Sequence, residues 1–153
     1  VIAGTSLANY TLLQKGDFSY NKGNSKSYEM GCIYLLENFD EGLVPFVFIS
    51  FRPKQHIDAL FYKHFFINHG LDQQLKRIIS SGARGDGLLN VNKKSFFKLK
   101  VPYPNLKEQT AIAQVLQSAD AEIGLLTQKL YRLKEQKKGL IQVLLTGRKR
   151  LEY

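Results

Sequence analysis

The sequence predicts an α+β fold: a small, strand-rich domain with short helices, followed by one long coiled-coil helix. Three observations carry that prediction. An apolar 4-3 repeat runs without a slip through residues 105–147, and β-branched and aromatic runs broken by turn residues fill residues 10–51. After Arg52-Pro53 the apolar period changes from alternating to helical. No internal repeat is evident.

Residues 10–13 and 18–21 read as two short strands separated by Lys15-Gly16-Asp17, where Gly16 permits a tight turn. Residues 22–27 form a basic, polar loop. Such a loop can be a solvated hairpin connection, but Asn, Ser and Lys are also side chains that contact bases and phosphates. Residues 31–36 and 43–51 read as strands joined by a turn-like stretch over 38–42. Ile57, Leu60, Phe61, His64 and Phe65 then share one face of an amphipathic helix, and Gly70 stands where that helix should end. A second short helix covers residues 72–79, and a loop with three glycines spans 80–87. The alternation of Phe97, Leu99 and Val101 predicts a last strand running into Pro102-Tyr103-Pro104.

The long helix follows. With Leu116 as position a, the a residues are Leu116, Ile123, Leu130, Lys137 and Leu144, and the d residues are Ile112, Ala119, Leu126, Leu133 and Leu140. Asn105 can cap the first turn with Glu108 three residues on, Pro104 discourages helix upstream, and Gly147 before Arg148-Lys149-Arg150 makes a C-terminal stop. About 40 helical residues would reach roughly 60 Å, so most of this narrow seam must find a partner helix. Gly124 and Gly139 each weaken the helix by about 1 kcal/mol relative to Ala, which pairing would offset. Lys137, charged at a seam position, serves register or reaches solvent.

The net charge of +9 is spread over the chain, with 13 basic and 8 acidic residues in 1–105 and 9 basic and 5 acidic in 106–153. That excess suits an anionic partner, nucleic acid being the commonest. A single cysteine, Cys32, flanked by apolar residues, excludes an internal disulfide framework and a cysteine-based zinc site and reads as a buried structural thiol. No run of 18 apolar residues and no signal-peptide pattern is present, so the expected setting is soluble, cytoplasmic and without membrane contact.

The sequence carries little that resembles catalysis. His56, His64 and His69 lack the i, i+4 spacing of a helical metal pair. The glycine loop lacks the Gly-Lys-Ser/Thr ending of a phosphate-binding loop and the strand-to-helix placement of a dinucleotide fingerprint. There is no Gly-x-Ser-x-Gly elbow, and the acidic residues Asp40, Glu41 and Asp58 are scattered. No catalytic residue, metal or cofactor is expected.

Several runs resemble the specificity subunit of type I restriction-modification systems: Leu13-Gln14-Lys15-Gly16-Asp17-Phe18 with Tyr20-Asn21-Lys22, Ser81-Gly82-Ala83-Arg84 with Gly87-Leu88, and the end Lys137-Lys138-Gly139-Leu140 through Thr146-Gly147. Most specific is Pro104 followed by Glu108-Gln109 and Ile112-Ala113, ahead of the heptad helix. The resemblance implies a target-recognition, DNA-binding domain over residues 1–104, incomplete at its start by about 50 residues. It implies a coiled-coil dimerisation and spacer helix over 105–147 and a basic tail over 148–153.

By that resemblance the chain is a non-catalytic subunit reading one half of a bipartite double-stranded DNA target. Its helix would pair antiparallel with a second copy or with the other half of a longer subunit, set the spacing and hold methyltransferase subunits. Methylation and ATP-driven cleavage would lie on the methyltransferase and restriction subunits. DNA contacts are then expected from Asn21, Lys22, Ser25 and Lys26 in the first loop, Arg52 and Lys54 after the strand region, and Arg84 in the glycine loop. Two other classes stay open: a coiled-coil scaffold whose small basic domain binds protein, and an RNA-binding accessory domain, for which no aromatic-rich RNP-like motif is present. Strong salt dependence of DNA binding would favour the first reading.

Overall fold

The computed structural model describes residues 7–23, 27–80 and 88–151. It is α+β. A single 3-10 turn, Leu7–Asn9, leads into strands β1 (Tyr10–Gln14), β2 (Phe18–Asn21), β3 (Cys32–Leu35), β4 (Glu41–Pro45) and β5 (Ile49–Phe51). Helices α1 (Ala59–Ile67), α2 (Asp72–Ile78), α3 (Lys93–Phe96) and α4 (Leu106–Leu145) follow. β1 pairs antiparallel with β4, and β2 lies between β3 and β5 in a three-stranded antiparallel sheet.

The chain therefore changes sheet from β1 to β2, from β3 to β4 and from β4 to β5, while the consecutive strands β2 and β3 stay paired. Gly16, at φ +93°, makes the turn that lets the chain leave β1 and enter β2, with the Asp17 amide donating to the Gln14 carbonyl at 2.9 Å. The single strand expected over 43–51 is two. Pro45 has no N–H to continue a ladder, the Phe48 amide turns back onto the Pro45 carbonyl at 3.0 Å, and β5 crosses to the other sheet. Glu41 and Gly42, expected in a turn, belong to β4, where they face Gln14 and Leu13.

Phe18 and Tyr20 on β2 are fully buried, together with Ile33, Ile49, Leu75 and Phe96. The rings of Tyr20 and Phe96 stack at 5.0 Å and those of Phe18 and Phe51 at 5.4 Å, so an aromatic layer fills the space between sheet and helices. Cys32 is half-buried rather than buried, and partial burial pushes its thiol above the ordinary range.

Asp58 caps α1, accepting from the Leu60 and Phe61 amides at 2.9 and 3.2 Å. The end of α1 differs from the expected glycine stop. His69, not Gly70, takes the left-handed conformation, at φ 58°. The His69 amide donates to Phe66 and the Gly70 amide to Phe65, both at 3.1 Å, the paired bonds of a Schellman ending. Gly70 is needed for space: a Cβ there would lie 2.3 Å from the Phe65 ring.

The last strand expected over 97–101 does not form. Asn92 caps the short helix α3, Phe97 closes it, and the stretch beyond pairs with a side chain. The Gln74 amide donates to the Lys100 carbonyl at 2.7 Å and accepts from the Lys100 amide at 2.9 Å, standing in for a neighbouring strand's peptide. Tyr62 donates to the Pro102 carbonyl at 2.8 Å and holds the same stretch further along.

Two compact units are present, Val1–Ala113 and Gln114–Tyr153. The first turns of α4 belong to the first unit, where Gln109 and Ala113 are buried. As expected, Asn105 caps α4, its side chain accepting from the Glu108 amide at 3.0 Å, and Gly147 at φ +71° ends it. Gln109 accepts from the Asp58 amide at 2.9 Å and donates to the Pro104 carbonyl at 2.8 Å, while Thr110 donates to the Asp58 carboxylate at 2.9 Å. Within the second unit, Ile123, Leu126, Leu130, Leu133 and Leu140 are each more than half exposed. Among the described residues no helix is long and apolar enough to cross a membrane.

Candidate nucleic-acid interface

Asn21 ends β2 opposite Cys32, and its side-chain oxygen accepts from the Gly23 amide at 2.8 Å, turning the chain sharply. Lys22 follows, half-buried, and its carbonyl accepts from the Leu89 amide at 2.8 Å. Gly23 and Leu88 form an antiparallel bridge. Ser80 is tied to Asn90, whose carbonyl accepts from the Ser80 amide at 3.3 Å. Lys22 and Gly23 thus meet Leu88 and Leu89 beyond the Asn21 end of β2. Ser25, Lys26 and Arg84, expected to contact DNA, lie outside the described residues.

Arg52 and Lys54 stand at the other end of that sheet. Phe18 pairs with Phe51, so Asp17 and Arg52 are the next cross-strand neighbours. Arg52 donates from Nε and Nη2 to the two carboxylate oxygens of Asp17 at 2.6 and 2.9 Å, and from Nη2 to Gln14 Oε1 at 3.1 Å. Asp17 is buried, and the Arg52 guanidinium holds its carboxyl below the usual range, against the opposing effect of burial. Arg52 is therefore a preset guanidinium and not a free surface cation. Lys54 is exposed, with its carbonyl accepting from the Ile57 amide at 3.0 Å. The four described candidates fall into two groups, Asn21 with Lys22 and Arg52 with Lys54, at opposite ends of β2.

An aromatic cluster beside Asn21 was not legible in the sequence. The Tyr28 ring stands 6.4 Å from Tyr34 and lies over His69 at 6.2 Å, while His69 Nδ1 is 2.9 Å from the Asp72 carboxylate. With Cys32 and Leu75 these groups line a cavity of about 110 Å³. A hydrogen bond with Cys32, then burial, pushes the Tyr34 phenol well above its usual range. Tyr28 precedes β3, Tyr34 lies on it and His69 follows α1, so no local pattern in the sequence marks the cluster. Among the described residues no group of three His, Cys, Asp or Glu side chains is arranged to hold a metal ion.

Fold and site together define a small α+β domain followed in sequence by a long helix with a heptad pattern, with Lys22-Gly23 and Leu88-Leu89 joined beyond one end of its three-stranded sheet. The chain belongs to the family described as the type I restriction modification DNA specificity domain, whose sequence profile matches residues 9–135. Two relatives come from Methanocaldococcus jannaschii. The type I restriction enzyme MjaVIII specificity subunit is 37% identical over 68 residues, which is 44% of this chain and 16% of that protein. The putative type I restriction enzyme MjaX specificity subunit is 26% identical over 141 residues, 92% of this chain and 32% of that protein. The chain thus spans a third or less of the relatives it matches.

Proposed function

We propose that this chain is a non-catalytic DNA-recognition element of a type I restriction-modification complex and reads one half of a bipartite double-stranded target. The observation that carries the proposal is the Gly23–Leu88 bridge in a chain of this family, because it brings together described residues next in sequence to Ser25-Lys26 and to Arg84. Asn21, Lys22, Ser25, Lys26 and Arg84 form the primary contact group, with Arg52 and Lys54 as a second group on the flanking backbone. Residues 1–104 are the recognition domain and 105–147 the spacer, working in the prokaryotic cytoplasm with methyltransferase and restriction subunits that carry the chemistry.

The seam from Ile112 through Leu144 pairs antiparallel with a second copy or with the other half of a longer subunit. Charge along the helix supports that direction. Residues 106–126 hold one basic and three acidic side chains, whereas 127–150 hold eight basic and one acidic, so two parallel copies would place like charges together and antiparallel copies would oppose them.

The test is to co-express the chain, and its full-length parent, with the neighbouring methyltransferase subunit and map adenine methylation on genomic DNA. A split motif that appears only with the chain present supports the proposal, and a palindromic motif adds that two copies pair. Absence of any motif with the full-length parent refutes it.

A further inference from the structure

Asn21 borders a second hollow, away from the Tyr28 cluster. This cavity, of about 160 Å³, lies between the β1–β4 ribbon and strands β2 and β3, and its apolar walls are Leu13, Leu35, Leu36, Val44 and Phe48. Ser19, Asn21 and Tyr34 add polar side chains to the lining. Two of these are committed elsewhere. Ser19 is buried, with its hydroxyl 3.2 Å from that of Ser50, and the Tyr34 phenol is engaged by Cys32. Asn21 differs. Its Oδ1 accepts from the Gly23 amide at 2.8 Å, which fixes the sense of the side-chain amide, and the group left to meet a ligand is Nδ2, a donor and never an acceptor. The hollow thus sets an oriented N–H donor beside an apolar wall.

In the major groove that combination matches one base. Cytosine presents a donor at N4, adenine a donor at N6 beside its acceptor N7, and guanine two acceptors with no apolar group. Thymine alone sets an acceptor, O4, beside a methyl group. We infer that this hollow is a thymine-reading subsite, with Asn21 Nδ2 donating to O4 and the 5-methyl group entering the apolar space. Asn on adenine uses its oxygen and its nitrogen together. Here the Gly23 amide already holds the oxygen, which turns the same residue type from adenine toward thymine. A cytosine or adenine in the same place would set an N–H against the Asn21 N–H, and both donors would lose their partners. The inference rests on the proposed DNA reading, since Asn21 belongs to its primary contact group, and it adds the base that is read.

The experiment uses the full-length parent with its methyltransferase subunit and a labelled duplex carrying the split motif found by methylation mapping. Fluorescence anisotropy at fixed salt compares that duplex with copies in which deoxyuridine replaces each thymine in turn, a change that removes the methyl group and keeps O4. At a position read by Asn21, uracil should weaken binding about fourfold, which corresponds to the roughly 0.8 kcal/mol of one buried carbon, and cytosine should weaken it at least about tenfold. Asn21→Asp keeps the shape and can still accept from Gly23, but it offers an acceptor where the parent offers a donor. At that position its order should reverse: 5-methylcytosine should bind better than cytosine, and both better than thymine. These are ratios within one protein, so a general loss from the added negative charge cancels. The scan of the unmodified parent stands whether or not the variant folds. A bound motif duplex with no uracil-sensitive thymine, or a sensitive position whose order Asn21→Asp leaves unchanged, would overturn the inference while the DNA reading stands. A parent that yields no motif and binds no duplex would overturn both.

Discussion

Gln109 offers a sharp test of how the start of the long helix is held. Its side chain is fully buried and makes two bonds of opposite sense, accepting from the Asp58 amide and donating to the Pro104 carbonyl. Replacing it with Leu keeps the approximate volume and strands both backbone groups. Each buried group left without a partner costs about 1–3 kcal/mol, so Gln109→Leu should lose about 2–4 kcal/mol once the gain from a more apolar side chain is allowed for.

The companion variant is Gln109→Glu. An ionised carboxylate can still accept from Asp58 but cannot donate to Pro104, and it stands near the Asp58 carboxylate, so at neutral pH this variant should be at least as unstable. Below about pH 4 the new carboxyl regains a proton and can donate, so the deficit relative to the parent at the same pH should shrink. The chain has no Trp and eight Tyr, so urea unfolding is best followed by near-ultraviolet circular dichroism of the aromatic core. A loss under about 0.5 kcal/mol for Gln109→Leu would refute the reasoning, as would a Gln109→Glu deficit that does not vary with pH.

Three further outcomes are expected. Asp17→Asn should destabilise the domain at neutral pH, and because the Asp17 carboxyl is depressed in the folded state, the gap should persist above its unfolded value near 3.8 and close as pH falls through the folded value; acid titration of unfolding midpoints checks this. Gly70→Ala should cost about 1–3 kcal/mol through collision with Phe65, whereas Gly124→Ala, with open space around it, should stabilise α4 by about 1 kcal/mol; a loss of helical stability at Gly124 would show a partner packed against it. Leu130→Asp, in mid-seam, should abolish self-association in analytical ultracentrifugation, and a variant sedimenting as the parent oligomer would sink the heptad assignment.

Local chemistry explains which features were legible from residues alone. The caps at Asn105 and Gly147, the turn at Gly16 and the long helix between those caps each depend on neighbours within a few positions, and each is found where the pattern put it. Features that depend on distant partners were not legible. Phe97, Leu99 and Val101 have a strand's alternation, yet the backbone partner they find is the side chain of Gln74. Gly70 has the residue type of a helix stop, yet Phe65 claims the space and His69 carries the turn. In the candidate interface, the loop composition pointed to Asn21 and Lys22, but only the strand register separates them from Arg52 and Lys54 and shows that Asp17 has already engaged Arg52. The family itself was visible in the run from Pro104 to Ala113, and the structure gives that run a role, since Gln109 and Ala113 are buried in the first unit.

The Gln74 clamp also bears on solubility. A stretch alternating Phe, Leu and Val beside exposed aromatic rings is the kind of edge along which chains add to one another and precipitate. At Lys100 both backbone groups are already taken by one side-chain amide, so an incoming strand must first displace a bond pair held within the same domain. A single glutamine thus acts as a gatekeeper against aggregation where a more regular protein would spend a whole strand.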